Sequence, residues 1–318
     1  MEDIGLSGVA GVLPVSHRDI AELAAAGLIS SPPETLSALG FERVHIAGPD
    51  QPPEEMALAA ARAAVGDAGL APQEIDALIW ASARADSHLC RGGKEAPWHV
   101  MSGFRYSSAW LQDSLDLENA DVMAVAQQGC TTMFSALRLA RSLLVAEPQR
   151  RHILCVAADA LPAEAPREIL YNLISDGASA VVVSRSCRKD SWIGYRQISR
   201  GSHWNTPACQ AELMAAYFPI AKRLIDGLLA DNHLAPSDID IVVATGVARA
   251  SWDILLRLVG IPEDRLYRDG LSFGHTMTSD TFLYLEALRR SGHVRPGARL
   301  LLFTFGFGSS WAGLLLEH

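Results

Sequence analysis

The sequence predicts an α/β protein assembled from two structurally duplicated halves, and three observations predict it. Of 318 residues, 49% are apolar, 20% charged and only 7% aromatic, the balance of an Ala/Leu/Val-rich globular chain able to bury a large core. Apolar runs of strand length follow helical patterns, as in sheets buried on both faces. Four elements then recur in the same order. Leu70 to Ser82 (LAPQEIDALIWAS) returns as Leu234 to Gly246 (LAPSDIDIVVATG), and the run opened by Gly129-Cys130 returns as one opened by Gly274-His275. His152 to Ala160 returns as Ala298 to Gly306, and the segment from Asp176 as that from Gly308. Repetition of this kind marks a duplicated fold, divided into residues 1–186 and 187–318.

Met1 to Val15, broken by Gly5, Gly8 and Gly11, reads as a glycine-weakened strand. His17 to Leu28 has helical periodicity, and the Ser/Pro/Gly stretches at Ser30 to Pro33 and Gly48 to Pro53 read as loops. The alanine-rich run Glu54 to Ala68 is a helix, and Ile75 to Trp80 a strand buried on both faces. A buried strand is expected at Val122 to Ala126, then a turn at Gln127-Gln128-Gly129. The helix after it repeats Met133, Phe134, Leu137, Ala140 and Leu144 on one side. In the second half, Pro219 to Asn232 and the run opened by His275 read as helices.

No apolar run reaches membrane-spanning length, and Glu2, Asp3, Arg18 and Asp19 crowd the start, so neither a membrane span nor a signal peptide is expected, and the location expected is cytoplasmic. The cysteines, Cys90, Cys130, Cys155, Cys187 and Cys209, are scattered without a C-x-x-C pair. That suits a reducing compartment and excludes a disulfide framework. The histidines lack H-x-x-x-H spacing, so no metal is expected. A net charge of −9 without a basic stripe argues against nucleic acid as a partner.

Cys130 falls at a strand-to-helix junction, where unpaired helix N–H groups and the positive end of the macrodipole favour thiolate over thiol. Taken alone it fits a buried filler as well as a nucleophile. The repeat separates the two readings: if the halves pack about a pseudo-twofold axis, Cys130 and His275, each opening its helix, meet near the axis as a nucleophile and its base. The other cysteines are expected to be inert, and Asp176, ahead of Gly177, reads as a turn residue.

Four segments, VAQQGCTTMFSAL around Cys130, SDGASAVVV at Ser175 to Val183, FGHT at Phe273 to Thr276 and FGFGSSWAG at Phe305 to Gly313, carry a resemblance to the β-ketoacyl-acyl-carrier-protein synthase III enzymes of the thiolase fold. The resemblance implies two βαβαβαββ halves in a five-layered α-β-α-β-α arrangement. It also implies acyl-thioester chemistry: a cysteine takes up the acyl group, and a His and an Asn from later loops assist decarboxylation of a malonyl thioester. Here the cysteine is Cys130, the His position reads Thr245, and the Asn position reads His275. The backbone N–H groups of Cys130 and Phe307 stand where the family forms its oxyanion hole. Thr245 donates one hydroxyl hydrogen but cannot act as a base at neutral pH, so acylation is expected to survive better than decarboxylative condensation.

The family's adenine clamp for coenzyme A maps to Ser31–Ala38 and Arg167-Glu168, where no tryptophan or arginine occurs between Gly27 and Ala38 and Glu168 has the wrong charge. Arg249 and Arg257, about two helical turns apart, are candidates for docking an acidic carrier protein. The loop Arg84 to Ser107 is long and offers Trp98, His99 and Phe104 as pocket or interface residues. The expected protein is thus an acyltransferase of a specialised fatty acid or polyketide-type pathway, passing the acyl group to a second nucleophile, either a carbanion (condensation) or an amine or alcohol, with no permanently bound cofactor. Its substrate is an acyl-CoA or phosphopantetheine-linked acyl thioester, and it works as a homodimer or as a heterodimer with a second thiolase-fold chain. The alternative is a non-catalytic partner subunit of a ketosynthase III-like complex.

Overall fold

The first half runs β1 (Ile4–Val12), β2 (His17–Asp19), α1 (Ile20–Ala25), α2 (Pro33–Ala38), β3 (Arg43–His45), α3 (Pro53–Asp67), β4 (Ala77–Ala81), α4 (Ser107–Ser114), β5 (Asp121–Val125), α5 (Thr132–Ala146), β6 (His152–Asp159), β7 (Glu168–Ile169), β8 (Asn172–Leu173) and β9 (Gly177–Arg185). The second runs β10 (Ser191–Ser199), α6 (Gln210–Asp231), β11 (Ile241–Val243), α7 (Arg249–Val259), β12 (Leu266–Tyr267), α8 (Asp280–Ser291), β13 (Arg299–Gly306) and β14 (Ser310–Glu317). These elements come from a computed structural model that describes residues 3–83, 101, 104–170, 172–267 and 271–318. Cys90, Trp98, His99 and most of the long loop lie outside the described residues.

The main sheet reads β12-β11-β13-β14-β10-β1-β9-β6-β4-β5. Its two ends mirror each other. In the first half β1, β9 and β6 pair antiparallel, and β6, β4 and β5 parallel. In the second, β10, β14 and β13 pair antiparallel, and β13, β11 and β12 parallel. The halves join where β1 meets β10 at Gly5 and Ser191. Parallel neighbours need crossover helices, and these sort into layers. Residues from α3 and α4 share one apolar cluster with the outer face of the first half, and those from α6 and α7 share another with the second. A third cluster takes α5 and α8 together, with inward residues of both halves, and Phe134 meets Phe282 at 5.5 Å between ring centroids. The result is the expected five-layered thiolase-type α/β arrangement, with α5 and α8 as the buried middle layer. Among the described residues no helix is long and apolar enough to cross a membrane.

Four local expectations are corrected. His17–Asp19 is not helical; it pairs with Arg43–His45, and the helix starts only after Asp19, whose N–H donates to Glu22 at 2.9 Å. β5 is partly exposed rather than buried, because it is the edge strand. α6 starts at Gln210 and carries Pro219 in its interior; the carbonyl that loses its partner there, four residues back on Ala215, is on an exposed residue. Cys130 and His275 do not open their helices: Cys130 sits in a 3-10 turn before α5, and His275 lies five residues ahead of α8.

Candidate active site

The turn that presents Cys130 is built from left-handed backbone. Gln127 at φ 66° and Gly129 at φ 54° reverse the chain after β5. The hydroxyl of Thr131 donates to Gln128 O at 2.7 Å and that of Thr132 to Gly129 O at 2.6 Å, satisfying carbonyls at the start of the helix. The tip of the β13–β14 hairpin presses against this turn. A Cβ on Gly306 would lie 2.3 Å from Gln128 O and 2.8 Å from Cys130 N, and one on Gly129 would lie 2.7 Å from Phe307 N. Both contacts are closer than any side chain tolerates, so glycine is required for the Phe307 and Cys130 amides to share one site.

His275 is clamped by its backbone. Its N–H donates to Leu173 O at 2.7 Å, and its carbonyl accepts from Ser175 N–H at 2.9 Å, a short strand-like bridge reached through Gly274 at φ 81°. The ring Nε2 stands 3.1 Å from the Cys130 sulfur. On its other edge Nδ1 donates to the Asp280 carboxylate. Asp280, 1% exposed, is the first residue of α8, where the helix dipole favours negative charge. It also accepts the Gly246 N–H at 2.6 Å and the Thr281 N–H at 3.0 Å. Burial alone would lower the His275 pKa, but the charges of Asp280 and of the Cys130 sulfur, with their hydrogen bonds, hold it well above the usual histidine value. The three groups form a buried chain, carboxylate to imidazole to sulfur, the arrangement of a nucleophile beside an oriented base. Asp280 goes unnoticed in the sequence; the signal is an acidic residue opening the helix one turn beyond the Gly-His-Thr segment.

Cys130, His275, Thr245 and Phe307 all line a cavity of about 590 Å³. Thr245 is 4% exposed, and its carbonyl accepts the Trp252 indole N–H at 3.1 Å. Phe307 continues a wall of edge-on rings: Phe305 lies 5.9 Å from it, Tyr217 lies 5.3 Å from Phe305, and Phe218 lies 4.9 Å from Tyr217. The part of α6 ahead of Pro219 thus covers the site with Met214, Tyr217 and Phe218. Phe104 stays on the surface against Tyr106. Arg249 is exposed at the start of α7, next to the cavity-lining Ala250, whereas Arg257 is tied to Glu263 at 3.1 Å.

The region matched to the adenine clamp has been rebuilt. Arg167 is fully buried and paired with Asp176, with Nη1 at 2.6 Å. Asp176 is therefore no simple turn residue: it also accepts N–H groups from Ala47 at 2.8 Å and Leu161 at 3.0 Å. Glu168 ties down the Ser30–Ser31 loop through both backbone N–H groups and both hydroxyls. Partial burial works against its charge, but these donors together hold its pKa below the usual glutamate value. Cys155 is sealed inside β6, where burial pushes its thiol far up, and burial also raises Cys187.

The profile described as 3-oxoacyl-[acyl-carrier-protein] synthase III matches residues 126–201, and that of the C-terminal part of the same family matches 229–318. A β-ketoacyl-[acyl-carrier-protein] synthase III of Nitratidesulfovibrio vulgaris is 26% identical over 309 residues, covering 87% of each chain. Among solved structures, the 3-oxoacyl-[acyl-carrier-protein] synthase III of Aquifex aeolicus superposes with a TM-score of 0.83 at 20% identity, covering 99% of this chain and 100% of its own. A structure titled ChlB3, an acyltransferase, matches with a TM-score of 0.83 at 21% identity, covering 99% and 97%. With both profiles placed on the halves that build the Cys130 and His275 site, the chain belongs to the 3-oxoacyl-[acyl-carrier-protein] synthase III family of acyl-transferring enzymes.

Proposed function

We propose that the protein is an acyltransferase in which Cys130, His275 and Asp280 act as a nucleophile, its base and the group that orients the base. The observation that carries the reading is the His275 ring, held between the Cys130 sulfur at 3.1 Å and the Asp280 carboxylate. The Cys130 thiolate attacks the carbonyl of an acyl-CoA or carrier-protein-linked phosphopantetheine thioester. The oxyanion so formed is met by the Cys130 and Phe307 amides. As the intermediate collapses, the C–S bond to the donor breaks and the His275 imidazolium gives its proton to the departing thiolate. An amine or alcohol then attacks the acyl-Cys130 carbonyl while His275 takes its proton. Collapse of this second intermediate restores the thiolate and the imidazolium.

Transfer to an amine or alcohol is favoured over condensation because Thr245 supplies no second imidazole for decarboxylation. Removing one such hydrogen-bond donor typically costs on the order of 10²-fold in rate. The fold neighbours include both a titled acyltransferase and a priming β-ketosynthase of a polyketide pathway, consistent with a place in specialised fatty acid or polyketide-type biosynthesis. Arg249, exposed beside the cavity mouth, is the better carrier-docking candidate, since Arg257 is already paired with Glu263. The reading includes a homodimer, or a heterodimer with a second thiolase-fold chain.

Intact-protein mass spectrometry after incubation with a panel of acyl-pantetheine, acyl-CoA and acyl-carrier thioesters tests the proposal. One acyl group is expected on the wild type and none on Cys130→Ala. A wild type that takes up no acyl group, alone or with a partner chain, overturns it in favour of a non-catalytic subunit.

A further inference from the structure

Residues 200–206, which the catalytic scheme leaves without a role, hold the tip of the β13–β14 hairpin. The tip is the loop Phe307-Gly308-Ser309, closed by pairing of Gly306 with Ser310 and by the Ser309 N–H on Gly306 O at 3.1 Å. Gly308 at φ 86° and Ser309 at φ 65° are both left-handed, and the second of these is unfavourable for a residue with a Cβ. Three bonds from one segment stabilise it. The Arg200 N–H donates to Ser309 O at 2.8 Å. His203 Nδ1 and Ser309 Oγ are bonded at 2.9 Å. The Thr206 hydroxyl oxygen accepts the Gly308 N–H at 3.1 Å.

These bonds set the direction of the Phe307 amide. A peptide group is planar and trans, so pinning one of its polar atoms sends the other the opposite way. The Gly306 carbonyl, held by Ser309, fixes the orientation of the Phe307 N–H. Thr206 fixes the next peptide through Gly308 N–H and seats the Phe307 carbonyl against the turn before Cys130, where a Cβ on Gly129 would lie 2.6 Å from it. A peptide followed by glycine rotates readily once its partner is lost, so without Thr206 the Phe307–Gly308 peptide loses the bond that seats it on the turn.

We propose that Thr206 and His203 are positioning residues, which hold the hairpin tip so that the Phe307 amide faces the carbonyl attacked by Cys130. This rests on the acyl-transfer reading. The segment sits on the outer side of the tip and is largely exposed, Trp204 to 79%, and it leads straight into the part of α6 that covers the cavity. The orientation of the oxyanion donor is thereby tied to the cover as well as to the turn that opens α5.

The test uses two reactions of the same sulfur. Acylation by butyryl-pantetheine passes through an oxyanion, whereas alkylation by iodoacetamide needs the thiolate but no oxyanion hole. Thr206→Val, which keeps the shape and loses the acceptor, is expected to slow acylation by at least ~10-fold. Its half-saturation should stay within about twofold and its alkylation rate unchanged. Thr206→Ser should restore acylation, and His203→Ala should show the same split as Thr206→Val. Wild-type acylation by Thr206→Val, or alkylation that falls in step with acylation, overturns the proposal. If the wild type alkylates but accepts no acyl group, the acyl-transfer reading fails and this proposal falls with it; if the wild type acylates and Thr206→Val matches it, only the positioning role fails.

Discussion

Replacing Asp280 by asparagine removes one charge from the buried chain while keeping its volume. The carboxylate accepts from His275 Nδ1 and from Gly246 N–H through the same oxygen, and from Thr281 N–H through the other. An asparagine has one oxygen for these three donors, so its NH₂ faces either a helix N–H or the ring. Turned toward the ring, it donates to Nδ1 and moves the ring proton to Nε2, where it faces the sulfur and cannot take a proton from a thiol. An adjacent opposite charge favours the charged form of a buried group. The Asp280 charge is the largest of the influences that raise the His275 pKa, so Asp280→Asn is expected to shift His275 away from imidazolium. The assay is the rate of iodoacetamide alkylation of Cys130 followed by mass across pH, with the melting temperature as a check on folding. At neutral pH the variant should alkylate at least ~10-fold more slowly than the wild type. An unchanged rate with an intact fold refutes the reasoning that Asp280 sustains the ion pair.

Gly306→Ala places a methyl 2.3 Å from Gln128 O, so the hairpin tip must withdraw; acylation should fall by ~10²-fold with a lowered melting temperature, and wild-type values for both would contradict the packing described. Arg167→Met leaves Asp176 buried with backbone donors but no cation, and chemical denaturation should report a loss of about 3–5 kcal/mol; a loss below about 1 kcal/mol would show the pair to be dispensable. The raised His275 pKa also makes stability depend on pH. Its contribution is complete below the unfolded value of 6.5 and is lost as pH rises through the raised folded value. Melting temperature should therefore decline on the alkaline side more steeply in the wild type than in Asp280→Asn, which removes the largest of the influences that raise the His275 pKa, and parallel profiles would count against it.

The repeat makes most of the fold legible in the amino-acid order alone, because each half must bury strands on both faces and so writes long apolar runs followed by amphipathic helices. The same repeat brings Cys130 and His275 together, although it sets each at the start of a helix. Their actual settings, a 3-10 turn and a strand-like bridge to Ile174, depend on left-handed residues and close glycine contacts that no periodicity reveals. The roles of Asp280 and Asp176 stay hidden for a common reason. Each is a short acidic residue beside Gly, Ser or Thr, a pattern that reads as a turn or cap, and only tertiary packing converts it into the partner of a buried cation. The rebuilt clamp at Arg167 and Glu168 is half visible: the altered charge shows in the sequence, but the inward turn of Arg167 does not.

The mirrored sheet has a chemical consequence for the chain while it is being made. Cys130 belongs to the first copy of the repeat, and His275, 145 residues later, belongs with Asp280 to the second. A ribosome that has released only the first copy has exposed a cysteine with no base beside it. The sulfur acquires its imidazole only when the second copy docks and α8 lies against α5. The activated pair of sulfur and imidazole thus exists only once both copies are in place, whereas the sulfur of a partly folded chain keeps no more than the reactivity of an ordinary free cysteine.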